Sequence, residues 1–150
     1  MMYSDAMIEF GHRIEGIEYV NRACAYGIIA NGHGEIAVVR TRKGYLLPGG
    51  GIEAGESFEA GLRREILEEL GCESTIFEQF CAAAQFSHDP DDGIYYKKLG
   101  HFFRATLGEK IVRVIEPDHE LFWFTPSECP ARLAQEFQSW AIRQAFGIFG

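Results

Sequence analysis

The stretch from Pro48 to Cys72 constrains this chain most. It opens with Gly49-Gly50-Gly51, three consecutive residues with unusual backbone freedom, which reads as a loop. Ser57 is a cap for a helix running to about Leu70. Phe58, Leu62, Ile66 and Leu70 recur at i, i+4 and mark the face that must be buried. Gly71 ends the helix as its C′ residue. A helix with one apolar stripe has to lie on something, and a glycine run just before it allows the backbone to pass close by.

That helix works against its own electrostatics. Glu65 and Glu69 are i, i+4, and Glu65 and Glu68 are i, i+3, so three carboxylates share roughly one face of the last two turns. Each like-charge pair costs a helix about 0.2–0.5 kcal/mol. The acids also stand at the negative end of the helix dipole, with no Lys or Arg in the final turn to offset them. A hard divalent cation repairs this, and Mg²⁺ takes one or two carboxylates and completes its shell with water and substrate phosphates. From the helix alone, a solvated acidic face is the better reading, and a triple glycine alone is ordinary turn chemistry.

Around this centre the chain alternates strand-like and turn-like segments. Ala23 to Ala30 reads as a buried strand, Asn31-Gly32-His33-Gly34 as a turn and Glu35 to Arg40 as a second strand, so the pair is expected to form a hairpin. Tyr45-Leu46-Leu47 is a short apolar piece. Ser74 to Ser87 and Ile94 to Leu107 are strand-like, separated by the polar turn His88 to Gly93, and Leu121 to Phe124 is a short strand. Pro126, Ser127 and Pro130 flank a short helix start. Phe137, Ala141, Ile142, Ala145 and Phe146 give a C-terminal amphipathic helix over Gln135 to Phe149. Strands on both sides of a central helix, with a second helix at the end, predict an α/β chain: a mixed sheet between helices, in one domain spanning residues 1–150.

The charge balance limits the partners. With 14 basic and 22 acidic residues the net charge is −8, which argues against a nucleic-acid backbone as a stable partner. A small anionic substrate remains compatible, because a bound divalent ion reverses the local charge. Cys24, Cys72, Cys81 and Cys129 show no CxxC spacing and read as free thiols. The N-terminus lacks the pattern of a signal peptide, and no apolar run approaches membrane-spanning length, so a cytoplasmic protein without a membrane partner is expected.

Taken together, loop and helix read Gly50, five residues, Glu56, seven residues, Arg64-Glu65-Ile66, one residue, Glu68-Glu69, one residue, Gly71-Cys72. This resembles the signature box of the Nudix (MutT-like) hydrolase family at every fixed position. The one departure is Cys72, where the family has a bulkier aliphatic residue, a packing position. The resemblance implies a Nudix-type α/β/α sandwich and Mg²⁺-dependent (or Mn²⁺-dependent) hydrolysis of a pyrophosphate bond in a nucleoside diphosphate derivative or nucleoside triphosphate. It makes Glu65, Glu68 and Glu69 metal-binding and catalytic carboxylates, with Glu65 either ligand or base. The Gly50 carbonyl is a further ligand, and Gly49, Gly50 and Gly51 approach the substrate. Arg64 is expected to point away from the ligand face and pair with Glu56, pinning loop to helix.

A further acid from a downstream loop is common in the family, and Glu120 is preferred over Glu116 for that part. Arg22 and Tyr26, on the strand before the box, either touch a base or phosphate or serve packing, with Arg22 taken as the substrate-binding candidate. His88, Asp89, Asp91 and Asp92 either shape the substrate mouth or form a plain turn. The alternatives are a non-catalytic nucleotide sensor, which has no need of all three helix acids, and an enzyme acting on RNA 5′ ends, which the net charge disfavours. A homodimer is possible. Pro90, Tyr95 and Tyr96 do not match the family's markers for ADP-ribose or diadenosine polyphosphate substrates, which leans toward a triphosphate.

Overall fold

The computed structural model describes residues 7–112 and 118–148. Two sheets carry the chain. Strands β1 (Ile8–Phe10), β2 (Val20–Ile29), β5 (Gly49–Gly51), β6 (Cys72–His88) and β7 (Tyr95–Lys110) form a five-stranded sheet in the order β1-β6-β7-β2-β5. It is mixed: β2 runs parallel to β7 and β1 parallel to β6, while β6–β7 and β2–β5 are antiparallel. Strands β3 (Ile36–Thr41), β4 (Gly44–Leu46) and β8 (Glu120–Phe124) form a second, antiparallel sheet in the order β4-β3-β8. Helix α1 spans Phe58–Leu70, α2 Cys129–Arg132 and α3 Glu136–Phe146.

Alternation along the strands builds two apolar layers, as period-2 side-chain direction requires. Cys24, Tyr26, Ile28, Ile36, Val38 and Phe102 face Phe137, Ala141 and Ile142 of α3. Their neighbours Ala25, Ile29, Ala37, Val39, Phe103 and Ala105 face Leu62, Ile66 and Leu70 of α1. The strands thus lie between two helices, the predicted α/β/α arrangement. The α1 stripe is buried as expected, with Phe58 packed at its margin. Ser57 caps the helix by accepting from the Ala60 N–H at 3.1 Å, and Gly71 closes it in the left-handed region with its N–H on the Leu67 carbonyl. No helix among the described residues is long and apolar enough to cross a membrane.

Two expectations need correction. The segments around Asn31 do not form a hairpin: β2 and β3 share only the isolated bridge Ala30–Ile36 and then enter different sheets. Both flanks of β2 are already filled, by β7 and β5, so β3 must pair elsewhere. The Asn31 carboxamide instead fastens a broad turn by accepting from the His33 and Glu35 N–H groups, each at 2.9 Å. Gly49 to Gly51 is not a loop but the edge strand β5, paired with Cys24 to Tyr26. Glycine is required there: Gly49 sits at φ +138°, and a side chain on it would run into the Ala25 carbonyl.

Candidate active site

Burial of Leu62, Ile66 and Leu70 fixes the rotation of α1 about its axis. That rotation turns Glu65 and Glu69 toward β5. Glu69 is buried, at 8% exposure, and accepts from the Gly49 N–H at 2.9 Å. Glu65 lies against Gly50 so closely that a β-carbon there would stand 2.9 Å from the carboxyl carbon. Glu68 is the most open of the three, with 42% of its side chain exposed. The glycine backbone is therefore clamped onto two helix acids, bringing backbone polar groups and carboxylates to one edge.

Arg64 ties this edge together. Its Nε and Nη2 grip Glu56 as a fork at 2.7 and 3.0 Å, and Nη2 also donates to the Gly51 carbonyl at 3.1 Å. The Glu56 carboxylate accepts in addition from the Glu53 N–H at 2.8 Å. The Arg64 bonds, then the Glu53 N–H, hold the Glu56 carboxyl below its usual range. Gly61 makes room, because a β-carbon there would meet Ile52 at 2.5 Å and Glu56 at 3.0 Å. Arg64 does not point away from the acids, contrary to expectation. Its Nη1 reaches Glu65 at 3.1 Å and Glu68 at 3.4 Å. The fork to Glu56 uses one edge of the guanidinium and leaves a donor for the residues one and four places on.

On the other side of β5 lies a cleft of about 240 Å³. Arg22, Cys24 and Tyr26 of β2, Tyr96 and Lys98 of β7 and Gln138 of α3 line it, together with Asp89 and Asp92 of the β6–β7 loop. Gln138 is fixed by accepting from the Leu47 N–H at 2.8 Å, and burial pushes the Tyr26 hydroxyl well above its ordinary pKa. The Tyr96 hydroxyl donates to Asp92 at 2.7 Å. The Arg22 guanidinium lies 5.7 Å from the Tyr96 ring centroid and fills the space above Gly51. Lys43 and Arg42 of the β3–β4 turn pair with Asp89 and Asp91, each at 3.2 Å, and hold the β6–β7 loop in place.

The structure thus gathers Glu65, Glu68, Glu69, Glu56, Arg64 and the three glycines at one edge, with Arg22 across β5. Glu120 opens β8 and forms an ion pair with Arg40 at 2.6 Å, both ends being over half exposed. Its neighbour His119 comes within 4.0 Å of Glu69, a placement sequence reasoning missed. Lys98 was missed as well. Neither carries a motif, and only the strand register brings them in. Glu116 lies outside the described residues.

The donor chemistry suits a hard cation. Among the described residues no three His, Cys, Asp or Glu side chains converge as a finished cage. A hard cation such as Mg²⁺ would use few protein oxygens and keep sites for water and phosphate. Glu65 and Glu69, both near the glycine backbone, offer such oxygens, and Glu68 stands beside them.

The chain is similar to known proteins in sequence pattern and in shape. The NUDIX domain family model matches residues 20–144. No curated protein matches the chain. Among solved structures, a MutT protein from Methanosarcina mazei Go1 superposes with TM-score 0.66 at 19% identity, covering 88% of this chain and 96% of that one. A MutT Nudix hydrolase from Burkholderia pseudomallei does so with TM-score 0.62 at 27% identity, covering 83% and 97%. A Nudix hydrolase from Nitrosomonas europaea has TM-score 0.60 at 18% identity, covering 84% and 90%. With the family model spanning most of the sequence and the box residues assembled at one edge of the sandwich, the chain belongs to the Nudix family, as a hydrolase acting on phosphoric anhydride bonds.

Proposed function

We propose that the chain, acting as one Nudix domain in the cytoplasm, hydrolyses the pyrophosphate linkage of nucleoside triphosphates or nucleoside diphosphate derivatives with Mg²⁺, Mn²⁺ serving as a substitute. The observation that carries this reading is the clamp of β5 onto Glu65 and Glu69 beside a cleft lined by Arg22. Glu69, Glu68, Glu65 and the Gly50 carbonyl would hold the cation. When bound, it would neutralise charge on the diphosphate and lower the pKa of a water molecule.

The remaining work falls to the chain's own groups. Arg64 keeps β5 and α1 in register through Glu56 and the Gly51 carbonyl. Glu65, placed against Gly50, would serve either as one of the cation's ligands or as the base for the attacking water. The glycines of β5 let the Glu65 carboxylate and the Arg22 guanidinium lie directly against the strand, where Arg22 would offset the charge of a phosphate. Glu120 contributes only when it leaves Arg40. The products would be a nucleoside monophosphate and either pyrophosphate or a phosphorylated remainder. A homodimer is part of this proposal, and light scattering tests it.

The functional test is substrate profiling, with and without Mg²⁺, on nucleoside triphosphates, dinucleoside polyphosphates and nucleotide sugars, with product identification. Mg²⁺-dependent release of a nucleoside monophosphate from at least one class is expected. Tight nucleotide binding with no turnover in any class would replace the enzyme with a sensor.

A further inference from the structure

The cleft holds a second violation of local electrostatics, of opposite sign to the first. Arg22 and Lys98 are direct cross-strand neighbours in the parallel β2–β7 pairing. Like charges so placed destabilise a sheet. Both side chains line the cleft, and among the described residues neither makes a hydrogen bond or an ion pair. This occurs in a chain of net charge −8, where acids are plentiful. The adjacent Lys97, by contrast, pairs with Glu9 at 2.8 Å.

The acids nearest the pair are already engaged. Asp89 accepts from Lys43 and from the Asp91 N–H, and Asp92 accepts from the Tyr96 hydroxyl and the Ile94 N–H. Lys98 is partly buried, and burial pulls its ammonium below the usual pKa. Asp89 attracts Lys98 only from beyond ion-pair distance, and a desolvated cation without a hydrogen-bonded counter-ion is costly, so an anion from outside the chain is the natural complement.

We propose that Lys98, with Arg22 bridging the gap to β5, forms a seat for an oxyanion of the substrate that lies outside the scissile diphosphate. The proposal rests on the hydrolase reading above, which puts the scissile linkage at the β5–α1 edge. Lys98 lies two strands from β5, roughly 10 Å at ordinary strand spacing, and on the opposite side of β5 from the acids. A diphosphate at that edge leaves Lys98 to its appended group. Two chemistries supply the oxyanion there: a third phosphate, or a carboxylate on a sugar attached to the diphosphate. The seat therefore selects anionic appended groups over neutral ones and acts as a specificity determinant rather than on the reacting atoms.

The test is equilibrium binding by calorimetry with EDTA present, for the full chain and for Lys98→Gln and Lys98→Arg. The ligands are UTP, UDP-glucuronate and, as the neutral control, UDP-glucose. The unchanged protein should prefer UTP or UDP-glucuronate to UDP-glucose. Lys98→Gln should weaken the preferred ligand about tenfold, the scale of one charge-assisted hydrogen bond, and leave UDP-glucose alone. Lys98→Arg should restore most of the loss. Loss confined to UTP identifies the third phosphate, and loss confined to UDP-glucuronate the carboxylate.

Equal weakening of all three ligands, no weakening of any, or no preference in the unchanged protein would overturn the seat. Because binding is read without metal, charge-selective binding that is not followed by Mg²⁺-dependent hydrolysis would retain the seat and remove the hydrolase reading.

Discussion

Gly50 and Gly51 lack side chains for different reasons. The space beyond Gly50 belongs to the Glu65 carboxylate, and that beyond Gly51 to the Arg22 guanidinium. A Gly50→Ala change displaces only the end of a flexible side chain, so the fold should tolerate it while Glu65 moves. A shift of about 1 Å in a catalytic group costs on the order of a hundredfold in rate. Gly50→Ala should therefore lower kcat by about that factor with Tm nearly unchanged, and a matching loss in both would show that the residue serves packing alone.

Arg64→Lys keeps the charge but loses the fork to Glu56 and the bond to the Gly51 carbonyl. Both Tm and kcat should fall. Arg63→Lys, at an exposed i, i+4 pair with Glu59 at 3.8 Å, should change neither. The identity of these residues was legible through the resemblance of their spacing to the Nudix box, since the acids and the glycines taken singly have ordinary readings. The direction of Arg64 was not, since helix periodicity gives the position of a side chain and not the path of a long one.

Helix α1 is positioned from both ends. Its acidic C-terminal half meets β5, and Phe58 at its start stacks on His101 of β7, with ring centroids 4.3 Å apart. His101 is almost fully buried and accepts from Gln79 at 3.1 Å. Burial holds its pKa below the ordinary 6.5, so the unfolded chain binds a proton that the folded chain resists. The sign follows: this contribution is complete above pH 6.5 and is lost as pH falls through the lower folded value. Denaturant titrations should show stability declining from about pH 6.5 downward. Gln in place of His101 should flatten that decline, and an unchanged slope would contradict the assignment.

Most elements were readable from periodicity and punctuation, including α1 with both caps, the β6 and β7 strands and α3. The hairpin and the glycine loop were misread for one shared reason. Strand pairing is decided by which edges are free, and β2 takes β5 and β7 as neighbours from far along the sequence.

At the scale of the molecule, the sheets separate two helices, and β5 at one edge separates two opposite charge clusters. Crowded acids stand on the α1 side, and Arg22 and Lys98 on the side of α3. The acidic cluster was legible because its residues are close in sequence. The cationic one was not, because β2 and β7 meet only in the fold. On the proposed function, both clusters would complement a phosphate-bearing ligand held across the glycine strand, against which Glu65 and Arg22 lie.

The central claim is that the acids at the end of α1 hold the cation that drives hydrolysis, and Glu69→Gln tests it most directly. Glutamine keeps an oxygen for the Gly49 N–H and removes the charge. Tm should hold or rise as crowding among anions is relieved. Turnover at saturating Mg²⁺, on the best substrate found by profiling, should fall by more than about a hundredfold, beyond the loss of a group that only supports a ligand. A folded Glu69→Gln protein turning over at a near-normal rate would contradict the account.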